Sequence, residues 1–236
     1  MKENAQAHTA AAAAIVAFTL SPALVRLPAP DFWAGPLFAQ EAFAKHLGRN
    51  AMHPDAASIN EDLIDAALGG KADKVAAMRK AFPMLRPLLD GPTFDALARE
   101  LTAMEQAMAG KDLPAIALAS VEAYRIIEAA TDPAQRPAPI EVAMLDYSGF
   151  KLSILAARPT AEWAAIGATA KDSDSNWSAL AKNVRDSGIR DLAAAIQDGL
   201  KSAVARKDIE GVKFAAKLQL GIVDVLEGYF KRAKSR

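Results

Sequence analysis

Apolar residues recur along most of this chain at spacings of three and four, the interval that lines one face of an α-helix. Phe94, Leu97, Leu101, Met104 and Met108 form the cleanest stripe, and Gly110-Lys111-Asp112 closes it. Leu113–Ala130 follows as the partner helix of an αα-hairpin. Upstream, Ser58 caps a helix through Leu63, Ile64 and Leu68 to Gly69-Gly70, with Glu61 completing a capping box. Asp73 starts a segment through Val75, Met78, Phe82 and Leu85 that Pro83 and Pro87 shorten. Downstream, the pattern predicts helices over Ile140–Ala157, around Trp163, over Asn176–Arg185, Ile189–Arg206 and Ile209–Lys231, with a polar loop at Lys171–Asn176. No stretch alternates apolar and polar residues long enough to read as a strand. The expected fold is therefore all-α, an antiparallel bundle of about six or seven helices built from αα-hairpins.

The first forty residues follow a different rule. Thr9–Val25 is an uncharged apolar run of about 17 residues broken by Pro22, short for a membrane span and suited to a secretory signal. Ala39 is the expected cleavage residue, so residues 1–39 read as a signal peptide and 40–57 as a tether. An uncleaved anchor or an ordinary N-terminal helix are the alternatives. The remainder, 58–236, forms the helical domain, and the proline-rich Thr131–Pro139 divides it into candidate halves, 58–131 and 140–232. The location expected is periplasmic or secreted, with no stable membrane span once the signal is removed.

Composition narrows function mainly by exclusion. Lys plus Arg number 28 and Asp plus Glu 28, which removes the broad positive field of a non-specific nucleic-acid binder. Cysteine is absent, so the chain has no disulfide, thiol nucleophile or thiolate metal site. It contains no nucleophile elbow, Walker loop, dinucleotide fingerprint or zincin motif, and no paired Glu-x-x-His. A non-catalytic protein is expected, and the sequence names no cofactor.

One repeat is worth testing. Ala109-Gly110-Lys111-Asp112-Leu113 resembles Ala205-Arg206-Lys207-Asp208-Ile209, and the same register pairs Asp95 with Asp191 and Ile126 with Ile222. It also sets Glu100 against Ile196 and Leu101 against Gln197, which reads as an exchange of core for surface.

The segment Ile140–Ala157 carries the most chemistry, because its apolar residues cover nearly the whole circumference and so place it inside. Its Asp146 and Lys151 then need partners, hydration or shifted pKa values. With Tyr147, and with Tyr124 and Arg125 from the preceding helix, they make a candidate polar pocket: Asp146 and Lys151 as charge partners, the tyrosines as walls with hydroxyl donors, Arg125 as anion clamp. The structural alternatives are that Arg125 pairs with Glu122 or Glu128 along its own helix, that Lys151 snorkels, and that Asp146 accepts an interhelical hydrogen bond. Ser148, Gly149 and Ser153 also fit close helix packing. Gln219 sits on an apolar stripe and reads as a satisfied core amide. Asp172-Ser173-Asp174-Ser175-Asn176 opens like a calcium loop, yet Trp177 and Asn183 stand where the turn glycine and bidentate glutamate belong; a cap on the next helix by Asp174 or Ser175 is the simpler expectation. His46 and His53, near Met52 and Asp55, raise metal binding as an alternative. The leading expectation is an exported helical binding or accessory protein for a small polar ligand. A scaffold that docks another exported protein is its rival.

Overall fold

The computed structural model describes residues 82–86, 89–134 and 136–234. The expected signal segment, the tether with His46 and His53, and the Ser58 helix all lie outside these residues. After a 3-10 turn at Phe82–Leu85 come six α-helices: α1 (Gly91–Gly110), α2 (Leu113–Ala130), α3 (Ile140–Ala157), α4 (Trp163–Leu180), α5 (Ser187–Ala205) and α6 (Ile209–Lys234). They pack as an all-α bundle, with no strand among the described residues. Successive helices form hairpins, and α3 also lies against α2 and α6.

The helix ends follow local chemistry. Asp90, Asp112 and Asp186 each accept a hydrogen bond from the backbone amide three residues on, at 2.7, 3.0 and 3.0 Å, which satisfies an orphan donor of the first turn. Pro92 and Pro114 stand in the first turns of α1 and α2, where a missing N–H costs nothing. Lys111 and Lys207 end α1 and α5 in the left-handed region, at φ 55° and 52°. In both turns the following aspartate donates its amide back to the helix, Asp112 to Ala107 and Asp208 to Ala203, each at 2.9 Å.

These two turns stand 96 residues apart, as do the caps Asp90 and Asp186. Burial keeps the same register: Leu97 with Ala193, Met104 with Leu200, Ile116 with Val212 and Ile127 with Val223 are all buried. Of the two expected exchanges of core for surface, that at Leu101 and Gln197 does not occur, because Gln197 is buried too, whereas Glu100 is only half-buried where Ile196 is buried.

One predicted boundary is corrected. The polar stretch Lys171–Asn176 is not a loop separating two helices but the middle of α4. Ile166, Ala170, Ser173, Trp177 and Leu180 make its inward stripe, while Lys171, Asp172 and Ser175 face out. Asp174 caps nothing and instead pairs with Lys201 at 2.7 Å. No calcium loop exists there.

Three apolar clusters form the core, and α3 contributes to each. Tyr147 and Ile154 join the α1–α2 cluster, Val142 and Leu145 join Trp177, Ile196 and Leu226, and Leu152 and Leu155 join Ile166, Leu200 and Val212. Close approach of α3 to α6 depends on Gly149, where an added Cβ would lie 2.7 Å from Leu220 Cδ2. A polar layer crosses the second half of the bundle. Gln219 Nε2 donates to the Leu145 carbonyl at 2.6 Å, Gln197 Nε2 donates to Gln219 Oε1 at 3.1 Å, and Ser173 Oγ lies 3.0 and 2.9 Å from the two amide oxygens. The Thr131–Pro139 connection is tied at both sides: Arg136 Nη2 donates to the Glu128 carbonyl at 2.8 Å, and Lys234 Nζ to those of Ala134 and Arg136 at 3.1 Å each.

Two outcomes follow for stability. Gln219→Leu strands the Gln197 amide and costs about 1–3 kcal/mol in urea unfolding, whereas adding Ser173→Ala and Gln197→Leu recovers most of the loss. Lys111→Gly and Lys207→Gly each stabilise by about 0.5–1 kcal/mol, since glycine enters the left-handed region without strain. Equal gains at the two sites are expected because the turns share one geometry.

Candidate functional site

The five side chains read from the sequence as a ligand set divide into two arrangements at the α2–α3 seam. In the first, Arg125, Tyr147 and Lys151 converge on Glu122. Tyr147 Oη and Lys151 Nζ both donate to Glu122 Oε1 at 2.7 Å, Arg125 Nε donates to Glu122 Oε2 at 3.0 Å, and Lys151 Nζ also donates to Tyr147 Oη at 2.8 Å. The two cations flank the Tyr147 ring, Lys151 Nζ at 5.3 Å and the Arg125 guanidinium carbon at 6.0 Å from its centroid. Helical spacing explains the geometry: Tyr147 and Lys151 are one turn apart on α3, Glu122 and Arg125 one turn apart on α2.

Electrostatics in this cluster runs against burial. Partial burial alone disfavours the Glu122 carboxylate, but the hydrogen bonds from Lys151, Tyr147 and Arg125 outweigh it and hold the carboxyl below its usual range. Burial likewise disfavours the Lys151 ammonium, and Glu122 with Tyr147 overcomes it and raises its pKa. Glu100 on α1 sits above the usual range through burial and the neighbouring Glu122 charge. Glu122 is the residue that sequence reasoning treated only as a helix neighbour of Arg125. Its signal was its place one turn from Arg125 on a helix expected to face α3.

The second arrangement is acidic. Asp146 is only 6% exposed, and Tyr124 Oη donates to its Oδ2 at 3.1 Å. Tyr124 also meets Phe150 edge-on, with centroids 6.3 Å apart. No cation forms an ion pair with Asp146 among the described residues; the charges that act on it are those of Glu227 and Asp224 on α6 and Glu128 on α2. Desolvation, followed by the repulsion of Glu227, pushes the Asp146 carboxyl up to about 8, and the Tyr124 hydrogen bond only partly opposes this. Glu128 rises to about 7 by burial, against the pull of Arg136. Asp146 is therefore largely a neutral acid at pH 7, and Lys151 is not its charge partner.

The remaining singled-out residues have structural partners. Ser148 Oγ and Ser153 Oγ donate to the carbonyls four residues back, each at 2.8 Å. Trp163 and Trp177 lie on the same helix and pack in different apolar clusters. No group of three or more His, Asp or Glu side chains able to hold a metal occurs among the described residues. No helix among them is long and apolar enough to cross a membrane. In comparison with known proteins, the chain matches no family model, no curated protein and no solved structure.

The neutral state of Asp146 has a direct thermodynamic consequence. Its pKa is higher in the folded chain than in the unfolded one, so the folded state holds the extra proton between about pH 4 and 8. Stability contributed by this group is present below pH 4 and is lost as pH rises toward 8. Asp146→Asn, which keeps an acceptor for Tyr124, flattens that part of the pH–stability curve and exceeds wild type by about 1–3 kcal/mol at pH 9, measured by urea unfolding across pH.

Proposed function

We propose that the protein is a non-catalytic helical binding protein of the exported compartment and that the α2–α3 seam holds a small anionic, carboxylate-bearing ligand. The observation that supports this reading is convergence: three donors from two helices, Arg125, Tyr147 and Lys151, point at one carboxylate position that Glu122 occupies. Charge-assisted donors arranged in this way recognise carboxylates in general. The cluster is half-buried rather than sealed, with the side chains of Arg125, Lys151 and Glu122 each retaining contact with solvent. In this reading Glu122 is the internal occupant that an external carboxylate displaces. Support for export is confined to the uncharged Thr9–Val25 run and the small residue Ala39 that follows it. The Tyr124–Asp146 pair underlies the seam as a neutral support and contributes no charge to the ligand.

Chemical rescue tests the assignment. Glu122→Ala vacates the carboxylate position while leaving Arg125, Tyr147 and Lys151 in place. Acetate then raises the melting temperature of the variant more than chloride at equal ionic strength, and adding Lys151→Met abolishes the effect. In the wild type, succinate shifts the NMR signals of Tyr147 and its neighbours. Rescue without any wild-type response to succinate, phosphate or longer dicarboxylates would leave the cluster a structural clamp and reject the binding role.

A further inference from the structure

The side of α6 turned away from the bundle carries an ordered pattern that no other described residue covers. Phe214, Leu218, Gly221 and Val225 follow at spacings of four, three and four, which keeps them on one strip. Phe214 is 65% exposed, Leu218 40% and Val225 43%. An added Cβ on Gly221 would meet nothing within 4 Å. On one flank of the strip stand Glu210, Lys217, Asp224 and Lys231, seven residues apart and all exposed. Their charges alternate, acid then base then acid then base.

That alternation is self-complementary in one arrangement. When two copies of the helix lie antiparallel, residues on this flank face their own kind across the seam. Lys217 then falls beside the partner subunit's Asp224, and Glu210 beside the partner subunit's Lys231. Two-fold symmetry repeats both pairs. The same register layers Phe214 on the partner's Val225, and Leu218 on the partner's Gly221, whose missing side chain leaves room for it. From Glu210 to Lys231 the seam is about 33 Å long at 1.5 Å per residue.

In the register that superposes the two hairpin turns, the matching strip of α2 accepts a helix. Shifted by 96 residues, Phe214, Leu218 and Gly221 correspond to Leu118, Glu122 and Arg125 of α2. There Glu122 and Arg125 meet α3 through Tyr147, and Leu118 packs against the cluster holding Leu152 and Leu155. On α6 nothing described covers the equivalent positions.

We infer that α6 is an isologous docking surface for a second copy of this chain, with the two α6 helices antiparallel, the Phe214–Leu218–Val225 strip at the seam and Lys217–Asp224 pairs setting the register. This assignment does not depend on the α2–α3 ligand reading.

Sedimentation velocity on the full chain, across roughly 1–500 μM at low and moderate salt, reads the equilibrium. The wild type shifts from monomer to dimer with rising concentration, and salt weakens the shift. Lys217→Glu weakens association at least tenfold, and Lys217→Glu with Asp224→Lys restores it, because the swapped charges again face each other. Phe214→Glu abolishes it. Phe214 and Lys217 are exposed, so unchanged far-ultraviolet dichroism and melting of those two single variants confirm that folding is intact; Asp224→Lys also acts on Asp146, so far-ultraviolet dichroism alone checks the fold of the double variant. A wild type that stays monomeric throughout, or a dimer indifferent to both Phe214→Glu and Lys217→Glu, overturns the docking surface. A double swap that does not recover association overturns the antiparallel register.

Discussion

A helix that is apolar around its whole girth has to be enclosed, and in this chain that helix is α3. Two neighbours are not enough for it. The second half of the bundle covers Val142, Leu145, Leu152 and Leu155, while Tyr147 and Ile154 are left for the α1–α2 hairpin. Burial of each large aliphatic side chain contributes about 1.5–3 kcal/mol, so the enclosure of α3 joins the two parts of the bundle across a proline-rich connection. Arg136 and Lys234 then fix that connection through backbone carbonyls.

Enclosure forces a decision at every polar residue on α3, and the two solutions differ. Tyr147 and Lys151 lie at the rim, where they keep charge and hydrogen bonds by sharing Glu122. Asp146 lies deeper and gives up its charge instead, with one tyrosine hydroxyl in place of a counter-ion. The rim group is suited to exchange an internal carboxylate for an external one. The interior group is suited to hold position.

Most of the fold was legible in the sequence because the punctuation was strong. Asp-Gly-Pro at the start of α1, Gly-Lys-Asp at its end and the proline stretch before α3 set the observed helix ends. The reading failed at α4, where Ser173 interrupts an otherwise apolar inward stripe. Ser173 is buried because Gln197 and Gln219, 24 and 46 residues away in sequence, supply its partners, and local pattern cannot see such partners. The site shows the same division. Contacts along one helix, such as Arg125 with Glu122, followed from spacing, whereas the pairing of Lys151 with Glu122 rather than Asp146 depended on how α2 and α3 are rotated against each other.

The retained protons also change what kind of ion the molecule is. Counting residues gives a chain with no net charge, yet Asp146 near 8 and Glu128 near 7 hold roughly one to two protons more at pH 7 than that count assumes. At these two positions the folded protein is less negative than its unfolded chain. Unfolding therefore releases protons near neutral pH, so the denatured chain carries more negative charge than the native one at these positions.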